Sequence, residues 1–222
     1  MTDLHGLAEP KAECELCPRL VAFREDNQHK YPDWFNGAVP SFLPAAGADS
    51  TRLLIVGLAP GLQGANKTGR PFTGDWAGDL LYATLLKFGF AEGTYAAHPD
   101  DGLSLKDTMI TNAVRCVPPQ NKPVGAEMKN CRPFLTARIT SLPNLQVIVC
   151  LGRIAHENTL SALDHKRADY KFAHGAEHIL SVEGRTITMI DSYHCSRYNT
   201  NTGRLTESMF ADVFEKAALS LN

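Results

Sequence analysis

Four short apolar runs, Leu53–Val56, Met109–Val114, Val147–Leu151 and Thr186–Ile190, constrain this chain more than any other feature. Each is rich in Ile, Val or Met and nearly continuous, the pattern of a strand buried on both faces. Among and after them lie segments with helical spacing, Gly78–Phe88, Ala126–Ile139, Ile154–Leu163 and Glu207–Leu221. Strands alternating with helices predict an α/β fold, a three-layer α/β/α sandwich around a central, mainly parallel four-stranded sheet. With 222 residues, 44% of them hydrophobic, the chain can bury one sizeable core, and residues 1–222 read as a single domain. The polar stretch Asn36–Ser50 joins an amino-terminal arm, within residues 1–50, to the sheet.

In such a sheet the loops at the carboxyl ends of the strands gather at one rim. The first run is followed by GLAPGLQGANKTGRPFTGD, Gly57 to Asp75, and a glycine-rich loop after a buried strand is a usual phosphate site. The spacing argues otherwise. A P-loop needs Gly-x-x-x-x-Gly-Lys-Ser/Thr, whereas Lys67 and Thr68 are preceded by Ala65 and Asn66. A nucleotide hydrolase is thereby weakened, and Lys67 and Thr68 are read as surface residues. Glycine and proline would equally let backbone lie close to a flat ring.

The same rim receives NAVRCVPPQNKP, GRIAHE and DSYHCSRYNTNTGRLT from the other three runs. Asp75 stands before an amphipathic helix, where it can serve as an N-cap or, at the rim, orient and deprotonate water. Phe72 is either a core aromatic or a stacking plate for a planar ring. Asn112 offers one acceptor and two donors, the set needed to read a nucleobase edge, or else forms a turn. Asn121, in a proline-rich loop, is more strongly a turn former. His194 can donate to an oxygen where charge develops. The following Ser196, Arg197, Tyr198 and Asn199 are polar, basic and aromatic, which suits phosphates and a disturbed base stack or a plain surface loop.

The first residues lack a basic start with an apolar stretch, and no run of about 18 apolar residues occurs, so the expectation is a cytoplasmic protein without membrane segments. In that reducing compartment six cysteines read as free thiols or metal ligands. Cys14 and Cys17 form a Cys-x-x-Cys pair, and Cys116 and Cys131 form a second, widely split pair. A thiolate set of this kind holds zinc or an iron–sulfur cluster, and spacing alone does not choose, although the wide second pair fits an ordinary zinc ribbon poorly. The formal charge of −2 excludes a generally basic coat for nucleic acid but leaves room for a local patch.

Taken in order, CELC, GLAPG with TGRPFTGD, TNAVRCVPPQNKP, Cys131 and DSYHCSRYNT resemble the iron–sulfur branch of the uracil-DNA glycosylase superfamily, from Cys14 to about Thr206. Family 4 enzymes carry an acidic residue directly after the first glycine of the loop. Leu58 stands there in this chain, and with Asp75 and HCSRYN it resembles family 5, the UDGb type. The wider relatives have His-Pro-Ser where this chain has His194-Cys195-Ser196.

The resemblance implies a structural [4Fe-4S] cluster on Cys14, Cys17, Cys116 and Cys131. It implies a base pocket walled by Gly57, Leu58, Ala59 and Gly61, with Phe72 stacking on the extruded base and Asn112 reading its edge. Asp75, Asn121 and His194 would be catalytic, and Ser196 to Asn199 would meet DNA. The expected activity is monofunctional release of uracil, and of deaminated purines such as hypoxanthine and xanthine, from damaged double-stranded DNA, with single strands left open, by a monomer found at the nucleoid through its DNA. A non-enzymatic iron–sulfur or zinc protein that binds nucleic acid is the competing expectation.

Overall fold

The computed structural model describes residues 9–221, so the first eight residues of the expected arm lie outside the described residues. The sheet comprises β1 (Leu53–Gly57), β4 (Thr108–Asn112), β5 (Val147–Leu151), β6 (Glu177–Val182) and β7 (Arg185–Ser192), in the order β4-β1-β5-β7-β6. A separate two-stranded ribbon pairs β2 (Ala91–Glu92) with β3 (Ser104–Leu105). Seven helices accompany them among the described residues: α1 (Pro18–Lys30), α2 (Ala65–Thr68), α3 (Trp76–Lys87), α4 (Gly125–Thr140), α5 (Arg153–Ala162), α6 (Arg197–Asn201) and α7 (Glu207–Ser220).

The central strands are buried throughout, and alternate residues serve opposite faces. Leu53 and Ile55 pack with Leu81 and Leu85 of α3 and Phe210, Val213 and Phe214 of α7. Leu54 and Val56 pack with Leu135 and Ile139 of α4 and Ala155 and Leu160 of α5. Strands that need apolar residues at every position give the continuous runs seen in the sequence, and the three-layer expectation holds.

The strand count differs from expectation: the sheet has five strands, not four. The fifth, β6, runs antiparallel to β7 at the edge and buries only Leu180 and Val182 fully, so its sequence EHILSV alternates instead of forming a run. Glu183 and Gly184 join the two strands, both with positive φ (48° and 78°), the backbone that favours tight hairpins. The second run also ends earlier than expected. β4 stops at Asn112, while Ala113 and Val114 bend away and donate to the carbonyls of Gly57 and Leu58.

The amino-terminal arm contains α1, with proline at its permissive first turn, and is tied to the sheet layer by buried charge. Glu9 bridges Arg115 (3.1 Å) and Arg138 (2.6 Å). Arg24 donates to the carbonyl of Cys14 at 2.9 Å, which fixes the turn carrying the first cysteine pair.

Candidate active site and cysteine cluster

The parallel register places Gly57 beside Asn112, each the last residue of its strand. A Cβ on Gly57 would collide with Asn112 Oδ1 and come within 2.6 Å of Phe72 Cζ, so glycine is what lets these two side chains meet over the strand end. Asn112 Oδ1 is buried without a hydrogen-bond partner. Leaving such a group unmatched costs about 1–3 kcal/mol, which a ligand's donor would recover.

Phe72 sits at φ 53°, a left-handed conformation uncommon for a bulky residue, and the loop around it is heavily braced. Arg70 makes two hydrogen bonds to Asp101, at 2.9 and 2.8 Å, while Tyr82 donates to Pro71 O (2.5 Å) and Tyr95 to Phe72 O (3.3 Å). Gly78 in α3 permits this approach, because a Cβ there would strike Phe72 O. Thr68, expected at the surface, instead turns inward to donate toward carbonyls of its own loop, at 3.1 Å from Thr73 O. Lys67 lies 5.8 Å from the Trp34 ring centroid.

These features wall a cleft of about 470 Å³ at the carboxyl rim. Of the expected residues, Leu58, Ala59, Gly61, Phe72, Asp75, Asn112, Asn121, His194, Ser196, Arg197 and Tyr198 line it. Gly57 lies just behind the lining. Asn199 stands apart from the cleft and acts from outside, donating to His194 O at 2.8 Å and thereby fixing the loop that carries the imidazole.

Asp75 caps α3 with one carboxylate oxygen and leaves the other at the cleft. Its Oδ1 accepts from Gly78 N at 3.1 Å as the N-cap of α3, while Oδ2 faces Gly61 and Gly64, where added Cβ atoms would crowd it. Burial raises its pKa above the usual carboxylate value, and hydrogen bonds from Gly78 and Ala77 oppose the rise. His194 stands with its ring centroid 6.0 Å from that of Phe72, the planes inclined by 30°. Burial pushes its pKa down to about 4, so at neutral pH it is an uncharged imidazole with one donor and one acceptor. Asn121 closes the short 3-10 turn Pro119–Asn121 with φ 56° and lines the cleft.

Sequence reasoning missed Trp76. It follows Asp75 at the start of α3, lines the cleft, and remains half exposed. Its Nε1 donates to Thr200 Oγ1 at 3.0 Å, and the Arg197 guanidinium lies 5.5 Å from its ring, so it links Asp75 to the loop after His194. The available signal was a large aromatic in the first turn of an otherwise ordinary amphipathic helix. Cys195, at the departure from His-Pro-Ser, is fully buried and belongs to the core rather than the cleft surface.

The other missed constellation surrounds Asp191, which is completely buried two positions before Tyr193. Its Oδ1 meets His156 Nδ1 at 2.8 Å and its Oδ2 meets His178 Nε2 at 3.0 Å; His156 Nε2 meets Tyr170 O at 3.1 Å. The three side chains are close enough to share a metal ion, yet hydrogen bonds between them already account for both carboxylate oxygens. They fasten α5, β6 and β7 together beneath the His194 loop. Asp191→Asn removes the buried charge and cannot accept from both rings; it is expected to cost about 2–4 kcal/mol, read as a thermal midpoint lower by roughly 5–15 °C.

Cys14, Cys17, Cys116 and Cys131 line one hollow with apolar Leu20, Val114 and Phe134. Arg115 N donates to Cys131 Sγ at 3.3 Å and Asn130 Nδ2 to Cys17 Sγ at 3.7 Å, contacts suited to thiolate ligands. Four sulfurs around one hollow are a donor set that either a zinc ion or an iron–sulfur core takes.

The family model described as "Uracil DNA glycosylase superfamily" matches residues 44–218, and the chain belongs to that superfamily. A type-5 uracil-DNA glycosylase of Thermus thermophilus is 40% identical over 220 residues, covering 97% of both chains. A type-5 uracil-DNA glycosylase of Pyrobaculum aerophilum is 35% identical, covering 92% of this chain and 88% of its own. A type-4 uracil-DNA glycosylase of Saccharolobus solfataricus is 28% identical, covering 99% and 88%. No helix among the described residues is long and apolar enough to cross a membrane.

Proposed function

We propose that this chain is a type-5 monofunctional DNA glycosylase that draws uracil out of DNA and releases it by hydrolysis of the N-glycosidic bond. The observation that carries this reading is the meeting, in one cleft, of an unpartnered amide oxygen on Asn112, the Phe72 ring, the Asp75 carboxylate and an uncharged His194. A base inside a duplex cannot reach this recess and must be extruded. Phe72 then stacks on it, and Asn112 Oδ1 accepts an N–H from its edge, satisfying an atom otherwise left alone. Charge develops in two places as the bond breaks. Asp75 supports the cationic sugar and orients water toward its anomeric carbon, while His194 donates its single N–H to the departing base. Asn121 closes the cleft opposite, and Tyr198 and Arg197 reach into the gap that the extruded nucleotide leaves.

Among the described residues no lysine lines the cleft, which supports hydrolysis without an amine nucleophile. Leu58 brings no carboxylate and Gly61 no side-chain bulk to the base, which supports a pocket that also admits hypoxanthine and xanthine. Cys14, Cys17, Cys116 and Cys131 would hold a [4Fe-4S] cluster, whose part here is structural: it ties the arm to the loop after β4. The whole described chain then acts as one domain on damaged duplex DNA.

Two measurements test the reading. Folded, iron-loaded protein is expected to release uracil from a U:G duplex and, more slowly, hypoxanthine. Release of no base from any damaged duplex would leave a nucleic-acid-binding iron–sulfur protein in its place. The pH profile is the second test. Asp75 acts ionised and its pKa is raised, so the excision rate is expected to fall as pH drops through that pKa and to be level on the His194 side from roughly pH 6 to 9. Single-turnover rates followed from the plateau down through the Asp75 pKa should keep the acid limb in His194→Gln; a limb that disappears in that variant would belong to His194 instead.

A further inference from the structure

Two further grooves continue the cleft in one direction. The first, about 250 Å³, shares Leu58 and His194 with the cleft and is walled by Arg153, Phe172, Tyr193 and Arg204. The second, about 430 Å³, shares Arg153 and Phe172 with the first and adds Arg167 and Lys171. Four cations thus border a continuous path in a chain whose net charge is −2. The carboxylate on it, Glu157, lies 3.6 Å from Arg167.

The way the first two arginines are held is informative. Arg153 lies 5.3 Å from the Phe172 ring centroid and Arg204 4.6 Å from that of Tyr193; both are exposed, and neither has a carboxylate partner among the described residues. An aromatic face orients a guanidinium without neutralising it, leaving its donors for an anion. Beyond Trp76, on the other side of the cleft, a larger groove carries Asp79 and Glu207 against Lys87 and would repel a phosphate chain.

We infer that the DNA strand leaving the cleft runs along this path, with its phosphates on Arg153 and Arg204 and the next ones toward Arg167 and Lys171. The inference rests on the glycosylase reading and adds the side of the protein on which the flanking strand lies. Each phosphate contact releases condensed counterions, so it is visible in the salt dependence of binding separately from catalysis.

The test uses full-length Arg153→Gln, Arg204→Gln and the double variant, with Lys87→Gln as control; glutamine keeps much of the stem and removes the charge. Binding to a duplex carrying an abasic site is measured by anisotropy between about 50 and 200 mM salt. The slope of log Kd against log salt is expected to shrink by about 1 in each single variant and by about 2 in the double, with Lys87→Gln unchanged. The enzyme concentration that gives half-maximal single-turnover excision should rise in the arginine variants, while Lys87→Gln keeps the wild-type rate within about twofold. An unaltered slope in a double variant that keeps the wild-type thermal midpoint would overturn the path, as would a slope reduced by Lys87→Gln alone. A wild-type protein that excises nothing would instead count against the function proposed above.

Discussion

Asp75→Asn is expected to lower single-turnover uracil excision by about 10²–10⁴ while leaving binding to abasic DNA nearly intact. The substitution separates the two duties of this side chain. Asparagine still accepts from Gly78 N, so the α3 cap survives, but it neither supports a cationic sugar nor takes a proton from water. Stability should move the other way. Burial holds the folded-state pKa above the unfolded value, so the carboxyl contributes stability only below about pH 4, and that contribution is lost as pH rises through the folded pKa. Above the folded pKa the ionised group is a net cost that asparagine removes, and the thermal midpoint is expected to rise there. Asp75→Ala, which also loses the cap, should give back about 1 kcal/mol. Excision by Asp75→Asn at the wild-type rate would remove the carboxylate from the mechanism.

The second large effect concerns the cysteines. Cys131→Ala is expected to yield protein with little bound iron and a much lower thermal midpoint. The proposed cluster would join Cys14 and Cys17 to Cys116 and Cys131 and close a loop of roughly a hundred residues, and losing such a closure costs about 4–5 kcal/mol by the chain-entropy argument used for cross-links. In a domain of this size that corresponds to roughly 10–20 °C. Limited proteolysis should then cut first in the arm around α1. Cys150→Ala and Cys195→Ala, at buried thiols away from the hollow, should keep the iron and lose only packing. Zinc in place of iron in the purified wild-type protein would overturn the cluster and leave the excision chemistry standing.

The parts of this structure that could be read from the sequence are those where one residue type answers one physical need. Leu53 to Val56 must be apolar at every position because both faces are covered, and the rim loops follow from that. Asp75, Asn112 and His194 could be placed at the rim because each ends or follows a run. Strand β6 could not, since Glu177, Ile179 and Ser181 face outward and dilute the apolar signal. The Asp191 triad was equally hidden: its histidines come from a helix and an antiparallel strand, and no local spacing joins His156, His178 and Asp191. Trp76 looked like any helix residue until Thr200 and Arg197 were found against it. The orphaned oxygen of Asn112 is a fact about what is missing around an atom, which no residue pattern records.

The reversed edge strand also sets the parity of the chain's crossings. Because β5 ascends and α5 descends, an upward strand would normally come next and the rim would gain no extra segment there. Here β6 itself descends, so the chain must first climb from Ala162 to Glu177 with only the short 3-10 turn Arg167–Asp169 on the way. That ascent carries Tyr170 over His156, brings Phe172 to the rim beside Arg153, and ends where Gly175 N meets Asp191 O at 2.8 Å. One antiparallel pairing thus supplies the rim with a fifth loop, positioned on the side away from α3, that a wholly parallel sheet would have kept at its opposite end.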